Sequence, residues 1–148
     1  MTKTILTATV AAALALCAPL ALAHDDAAIA TLKAPNGGQL RAAAEFHFEL
    51  VVAPVRTDAK PAPVVVHVTD HAGAKVATTG ASGTVTILAG AQKATVALQP
   101  DGDNRLKGSG SYKSDPDMKV IVAITMAGKT VQQARFTPLA KVAAAHSK

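Results

Sequence analysis

Three histidines offer nitrogen ligands for a transition-metal site. His47 and His67 each lie within a run of β-favouring residues, and His24 follows a signal-peptide pattern. Cleavage after Ala23 would make His24 the first residue of the mature chain and place a free amine and an imidazole on one residue. Three imidazoles and one amine suit Cu(II), Zn(II) or Ni(II). The sequence therefore predicts a metal site formed by His24, His47 and His67.

The first 23 residues have the composition of a secretory signal peptide. Lys3 supplies the positive charge, residues 5–22 form an apolar run rich in Ala and Leu, and Ala21 and Ala23 give the small-residue cleavage pattern. We expect export to the periplasm, with no membrane insertion after cleavage. The single cysteine, Cys17, lies in this segment, so the mature chain is expected to have no disulfide and no thiolate ligand.

Other polar residues carry weaker signals. His71 falls in a predicted turn and His146 in the tail, so both are secondary candidates as metal ligands. Glu45 and Glu49 lie four residues apart on one strand, about 13 Å at the usual rise, which is too far for a glycosidase pair. We expect both carboxylates to lie on a solvated face.

Period-two hydrophobicity dominates the chain after residue 37. Phe46, Phe48 and Leu50 alternate with polar neighbours, which predicts a strand whose inner face is apolar and whose outer face carries His47. By the same alternation His67 lies on the exposed face of the next strand. A Gly/Ser-rich strand over residues 106–113 is expected to carry a bulge or to meet another backbone closely. Further strands are predicted over residues 75–78, 84–88, 93–98, 120–126 and 130–137.

Turn clusters separate these strands at intervals of roughly 8–12 residues, which is typical of immunoglobulin-like folds. We therefore predict an all-β chain, a single immunoglobulin-like antiparallel β-sandwich of seven or eight strands preceded by a signal peptide. The expected organisation is a signal peptide (1–23), a flexible or weakly helical leader (24–35), the β-sandwich domain (36–138) and a disordered tail (139–148).

The charge pattern excludes a common class of partner. The chain has a formal net charge of +5, but its Lys and Arg residues are scattered and only 3% of its residues are aromatic. Nucleic-acid binding needs a basic cluster or stacking platforms, so no nucleic-acid partner is expected. Phosphate-loop and nucleophile-elbow motifs are missing from the sequence, which favours a protein without enzymatic activity.

Two short motifs resemble known proteins. The Asn36-Gly37-Gly38 turn followed by the strand over residues 46–51 resembles small uncharacterised periplasmic proteins of metal-resistant bacteria. It is also similar to the N-terminal β-domain of heavy-metal efflux adaptor (membrane-fusion) subunits, with Val64 to Asp70 and Gly73 as the second matching piece. Where that pattern has His before Gly-Gly, this chain has Asn36. The resemblance implies an accessory role in metal resistance or efflux, with an efflux component as partner.

Three functions remain open at this level. The leading one is a periplasmic, non-enzymatic accessory protein whose cofactor is a copper, zinc or nickel ion. The second is a structural or protein-interaction module without a metal ligand. The third is a copper enzyme with an N-terminal histidine brace, against which the lack of an aromatic substrate surface argues.

Overall fold

The computed structural model describes residues 26–141, which form an all-β domain. The predicted signal peptide (1–23), the proposed ligand His24 and residues 142–148 of the predicted tail lie outside the described residues. No helix within residues 26–141 has the length and apolar character needed to cross a membrane.

One short helix and eight strands make up this part of the chain. They are α1 (Asp26–Ala30), β1 (Gln39–Ala43), β2 (Phe46–Val51), β3 (Pro61–Thr69), β4 (Ser82–Ala89), β5 (Gln92–Pro100), β6 (Arg105–Ser111), β7 (Lys119–Thr125) and β8 (Val131–Phe136).

The eight strands form a single antiparallel sheet in the order β1-β2-β3-β6-β5-β4-β7-β8. Its two edge strands meet, because the side chain of Gln39 accepts a hydrogen bond from the Thr137 N–H at 2.8 Å and donates one to the Thr137 carbonyl at 3.2 Å. The sheet is therefore curled and nearly closed around one core. This confirms the predicted all-β antiparallel class and the number of strands.

Alternation along each strand supplies that core. Phe46, Phe48 and Leu50 are buried on the inner face of β2, as their spacing predicts. Val64, Val66 and Val68 of β3 are fully buried in the same way, and the inner faces of β4, β5 and β7 complete a continuous apolar cluster. Burying such side chains contributes about 1.5–3 kcal/mol each, which makes this cluster the main stabilising feature of the domain.

Glycines bring β5 and β6 together where the sheet bends. Only Gln99–Lys107 and Pro100–Leu106 are paired between these strands. A Cβ atom at Gly108 would lie 2.1 Å from the Ala97 carbonyl oxygen, so no other residue fits there without a shift of the backbone. The close backbone approach predicted for this strand is thus confirmed.

Two local predictions differ from the structure. Strand β1 was not predicted, because its sequence, Gln-Leu-Arg-Ala-Ala, has low β-propensity and forms an edge. The predicted strand over residues 75–78 is reduced to one bridge between Thr69 and Lys75. Beyond that bridge, the Thr78 N–H donates to the Asp103 carbonyl, which takes the segment away from β3 and towards the loop before β6.

Candidate functional site

The outer face of β2 and β3 carries the predicted histidines. In the β2–β3 ladder His47 is opposite Thr69 and Glu49 is opposite His67, so the two histidines are diagonal neighbours on one face. They line a pocket of about 310 Å³, together with Glu49 and His71. The structure therefore brings His47 and His67 together, whereas His24 lies outside the described residues.

This face is covered, contrary to prediction. Only 7% of His47 and 2% of Glu49 are exposed, although both were expected to face solvent. The chain before β1 lies against them: Ile29 of α1 is buried, and Leu32 and Pro35 line the same pocket as His47. Alternation identified the two faces of β2 correctly, but it carries no information about a segment that folds over the outer one.

Glu49 holds the segment before β1 against the outer face of β2 through hydrogen bonds. Its carboxylate accepts hydrogen bonds from the Asn36 N–H at 2.7 Å, from the Asn36 side-chain amide at 2.8 Å and from the Gly38 N–H at 3.0 Å. Hydrogen bonds to an ionised acceptor are roughly twice as strong as neutral ones. The carboxylate therefore holds the turn over the sheet, and this structural use makes it a poor candidate for a metal ligand.

The two glycines of the turn are required by its geometry. Gly37 has a φ of +75°, a conformation that costs other residues free energy. A Cβ atom at Gly38 would lie 2.3 Å from the Leu50 carbonyl oxygen. The Asn36-Gly37-Gly38 motif and the glutamate of the following strand thus form one structural unit, in which Asn36 binds a carboxylate.

The closest contact between histidines joins His47 to His71. Nε2 of His47 lies 3.1 Å from Nδ1 of His71, and the two rings meet edge to face with an interplanar angle of 87°. Nε2 of His71 lies 3.0 Å from the carbonyl oxygen of Ala44. A carbonyl oxygen only accepts, so Nε2 of His71 carries a proton. In a neutral His71 ring, Nδ1 is then the acceptor and Nε2 of His47 donates to it.

Backbone strain accompanies this arrangement. Ala44 lies in the two-residue loop between β1 and β2 with a φ of +48°, the only positive φ of a non-glycine residue within 26–141. Left-handed geometry costs an alanine about 1–2 kcal/mol. The strained residue is the one whose carbonyl orients His71, and such strain clusters at functional sites.

The contact of His71 with His47 was not predicted from the sequence. It follows β3 in the turn that Asp70 stabilises by accepting hydrogen bonds from the Ala72 and Ala74 N–H groups, both at 2.9 Å. Because Thr69 is opposite His47, residue 71 continues the same face two positions further on. The missing information was the register of the hairpin, which hydrophobic pattern alone does not supply.

His67 completes the set of imidazoles in the pocket. Burial lowers its pKa below the usual value of 6.5; Glu49 opposes this shift, while Arg105 and Lys75 add to it. The neutral form of imidazole is the one that binds metals, so this environment keeps His67 competent as a ligand at neutral pH.

The described residues do not contain a finished metal centre. Within residues 26–141, no group of three or more His, Cys, Asp or Glu side chains has the arrangement needed to hold a metal ion. The geometry provides two imidazoles in contact and a third on the same pocket wall. Comparison of the chain with known protein families, curated proteins and solved structures found no match in any of the three.

Proposed function

We propose that this protein is an exported, non-enzymatic accessory protein that binds a divalent transition-metal ion, copper, zinc or nickel, through His47 and His71. The contact between Nε2 of His47 and Nδ1 of His71 is the observation that carries the proposal. In a tetrahedral site with Zn–N bonds of about 2.0–2.1 Å, two ligand nitrogens lie about 3.3 Å apart. The observed 3.1 Å is close to that separation, so the two nitrogens are already near enough to share one metal ion. Binding would replace the shared proton and turn both ring lone pairs from the N–N line towards the metal.

The partner of His71 supports the same interpretation. Metal-binding histidines almost always donate their second ring N–H to a carbonyl or carboxylate, which sets the tautomer and the orientation of the ring. The Ala44 carbonyl accepts that bond from Nε2 and leaves Nδ1 directed towards His47. The Ala44 carbonyl thus selects the tautomer of His71 in which Nε2 is protonated, and this leaves Nδ1 unprotonated and ready to bind a metal ion.

Further ligands are proposed from the remaining histidines. His67 lines the same pocket, and His24, outside the described residues, would add an imidazole and an amine if it begins the mature chain. Two imidazoles with exchangeable further ligands suit a site that takes up and releases metal. On the short motifs described in the sequence analysis alone, we further propose a role in metal resistance or efflux, with an efflux component as partner.

We also propose that the curled sheet is an immunoglobulin-like sandwich with an added first strand. If β2 to β8 are lettered A to G, the strand order becomes A-B-E-D-C-F-G. Immunoglobulin constant-type domains have an ABED sheet packed on a CFG sheet, and this order joins those two sheets through D and C. The strand order supports the proposal, and β1 is the additional strand beside A.

A calorimetric titration of the purified protein with Zn(II), Cu(II) and Ni(II) tests the metal proposal. We expect His47→Ala and His71→Ala each to lose most of the affinity, because each removes one of two preorganised ligands. Smaller losses are expected for His67→Ala and His24→Ala, and none for His146→Ala as the matched control. If the His47→Ala, His71→Ala double variant binds as the wild type does, the metal site lies elsewhere and this assignment is wrong. If the wild type binds none of the three ions, the alternative of an interaction module without a metal ligand takes its place.

A further inference from the structure

A second pocket lies at the seam where β1 meets β8, and it shares no lining residue with the histidine pocket. Side chains close both ends of this seam: Gln39 bonds to the Thr137 backbone, and Glu45 forms an ion pair of 2.6 Å with Lys129. Between these two contacts the strands are not joined in a ladder, since β1 and β8 are the edges of the sheet.

Positive charge is concentrated along the open stretch. Arg41 of β1 and Arg135 of β8 line the same two pockets, and Lys119 of β7 lines the larger one. Among residues 26–141, no carboxylate lies within ion-pair distance of any of these three cations. The three cations therefore present positive charge that no carboxylate among these residues neutralises, which favours an anionic ligand.

An apolar surface adjoins the cations. On the outer face of the sheet Leu88 is paired with Lys119 and Ile121 with Arg135, which places an apolar side chain beside each positive charge. Leu88 is 39% exposed, so part of its side chain is accessible to a ligand in the pocket. The larger pocket, of about 320 Å³, thus combines an apolar floor with a cationic rim.

The size of the pocket decides between classes of ligand. Small-molecule sites usually have volumes of about 300–1,000 Å³, and this pocket falls at the lower end of that range. A stable protein–protein interface needs about 800 Å² on each partner, far more than a single small pocket offers. A slender ligand with one anionic group fits the observations better than a protein surface does.

We propose that this seam pocket binds an amphiphilic anion, an alkyl chain that ends in a carboxylate. The carboxylate lies between Arg41 and Arg135, whose planar guanidinium groups suit it, and the alkyl chain lies on Leu88 and Ile121. One N–H group of Arg41 donates to the Leu40 carbonyl at 2.9 Å, which leaves its other N–H groups as donors for the carboxylate.

Calorimetric titration with dodecanoate, below its micelle concentration and with a chelator present, tests this proposal. We expect one saturable site, with affinity lowered about tenfold by Arg41→Gln and by Arg135→Gln because each removes a charge-assisted hydrogen bond. Lys107→Gln, which removes an exposed lysine elsewhere on the sheet, serves as the matched control and should bind normally. Leu88→Ser should weaken dodecanoate but not change the protein's melting temperature appreciably.

Three ligands separate the contributions of the carboxylate and of the alkyl chain to the affinity. Acetate should bind far more weakly than dodecanoate, and dodecyltrimethylammonium, with the same tail and the opposite charge, should not compete. Equal binding of the cationic and anionic amphiphiles would overturn the proposal, as would unchanged affinity in the Arg41→Gln, Arg135→Gln double variant or the lack of a saturable site. Arg135 is exposed, so its variant keeps the test valid if Arg41→Gln fails to fold.

Discussion

Strand β2 is buried on both faces, but different parts of the chain bury them. Its inner face, with Phe48 at the centre, packs into the core formed by the other strands. Its outer face, with His47 and Glu49, is covered by the chain that precedes β1. The inner face is apolar and held by many side-chain contacts, whereas the outer face is polar and held by a few directed hydrogen bonds.

The inner face of β2 stabilises the fold, whereas the outer face carries the candidate ligands. An apolar face buried in a core tolerates no polar group without a partner, so it offers no chemistry. The outer face carries three imidazoles and a carboxylate: His47 and Glu49 are buried beneath the covering segment, His67 is half-buried and His71 is exposed. Covering a polar face with a separate segment thus buries part of the site without interrupting the core.

The largest effect that this contrast predicts is at Phe48. Phe48→Ala should lower the free energy of unfolding by about 3–5 kcal/mol, because it leaves a cavity in a fully buried cluster. Urea unfolding followed by circular dichroism measures the change. A loss below about 1 kcal/mol would contradict the position of the core.

Removal of the Glu49 carboxylate tests the outer face. Glu49→Ala should cost about 2–3 kcal/mol, because three donors that now bind a buried carboxylate lose their acceptor. Glu45→Ala is the matched control: its carboxylate is 60% exposed and forms only a surface ion pair, so the cost should stay below about 1 kcal/mol. Equal losses in the two variants would show that the cover does not depend on Glu49.

A smaller effect is expected in the pH dependence of the metal-free protein. The pKa of His67 is lower in the folded state than the usual 6.5, so the unfolded chain binds the proton more readily. Stability should therefore fall as the pH decreases from above 6.5 towards the lowered folded-state pKa. His67→Gln should flatten this part of the profile, measured as melting temperature between pH 7.5 and 5 in the presence of a chelator. An unchanged profile would contradict the environment assigned to His67.

The inner face was predictable from sequence, and much of the outer face was not. The spacing of Phe46, Phe48 and Leu50 depends only on the period of a strand, which is a local property. The contact between His47 and His71 depends on the register of β2 against β3, and the burial of Glu49 depends on a turn 11–13 residues earlier in the chain. Strand pairing and the covering of a face depend on residues far apart in the chain, and the hydrophobic pattern of one sequence does not specify them.

The central claim is that Nε2 of His47 and Nδ1 of His71 bind one metal ion. Long-range ¹H–¹⁵N correlation spectra of the histidine rings, recorded with and without Zn(II), test it directly at the level of single nitrogens. We expect the ¹⁵N chemical shifts of these two nitrogens to change to values typical of metal-bound imidazole. Nε2 of His71 should keep its proton, because that proton is donated to the Ala44 carbonyl. Unchanged resonances for His47 and His71 in the presence of saturating Zn(II) would contradict it.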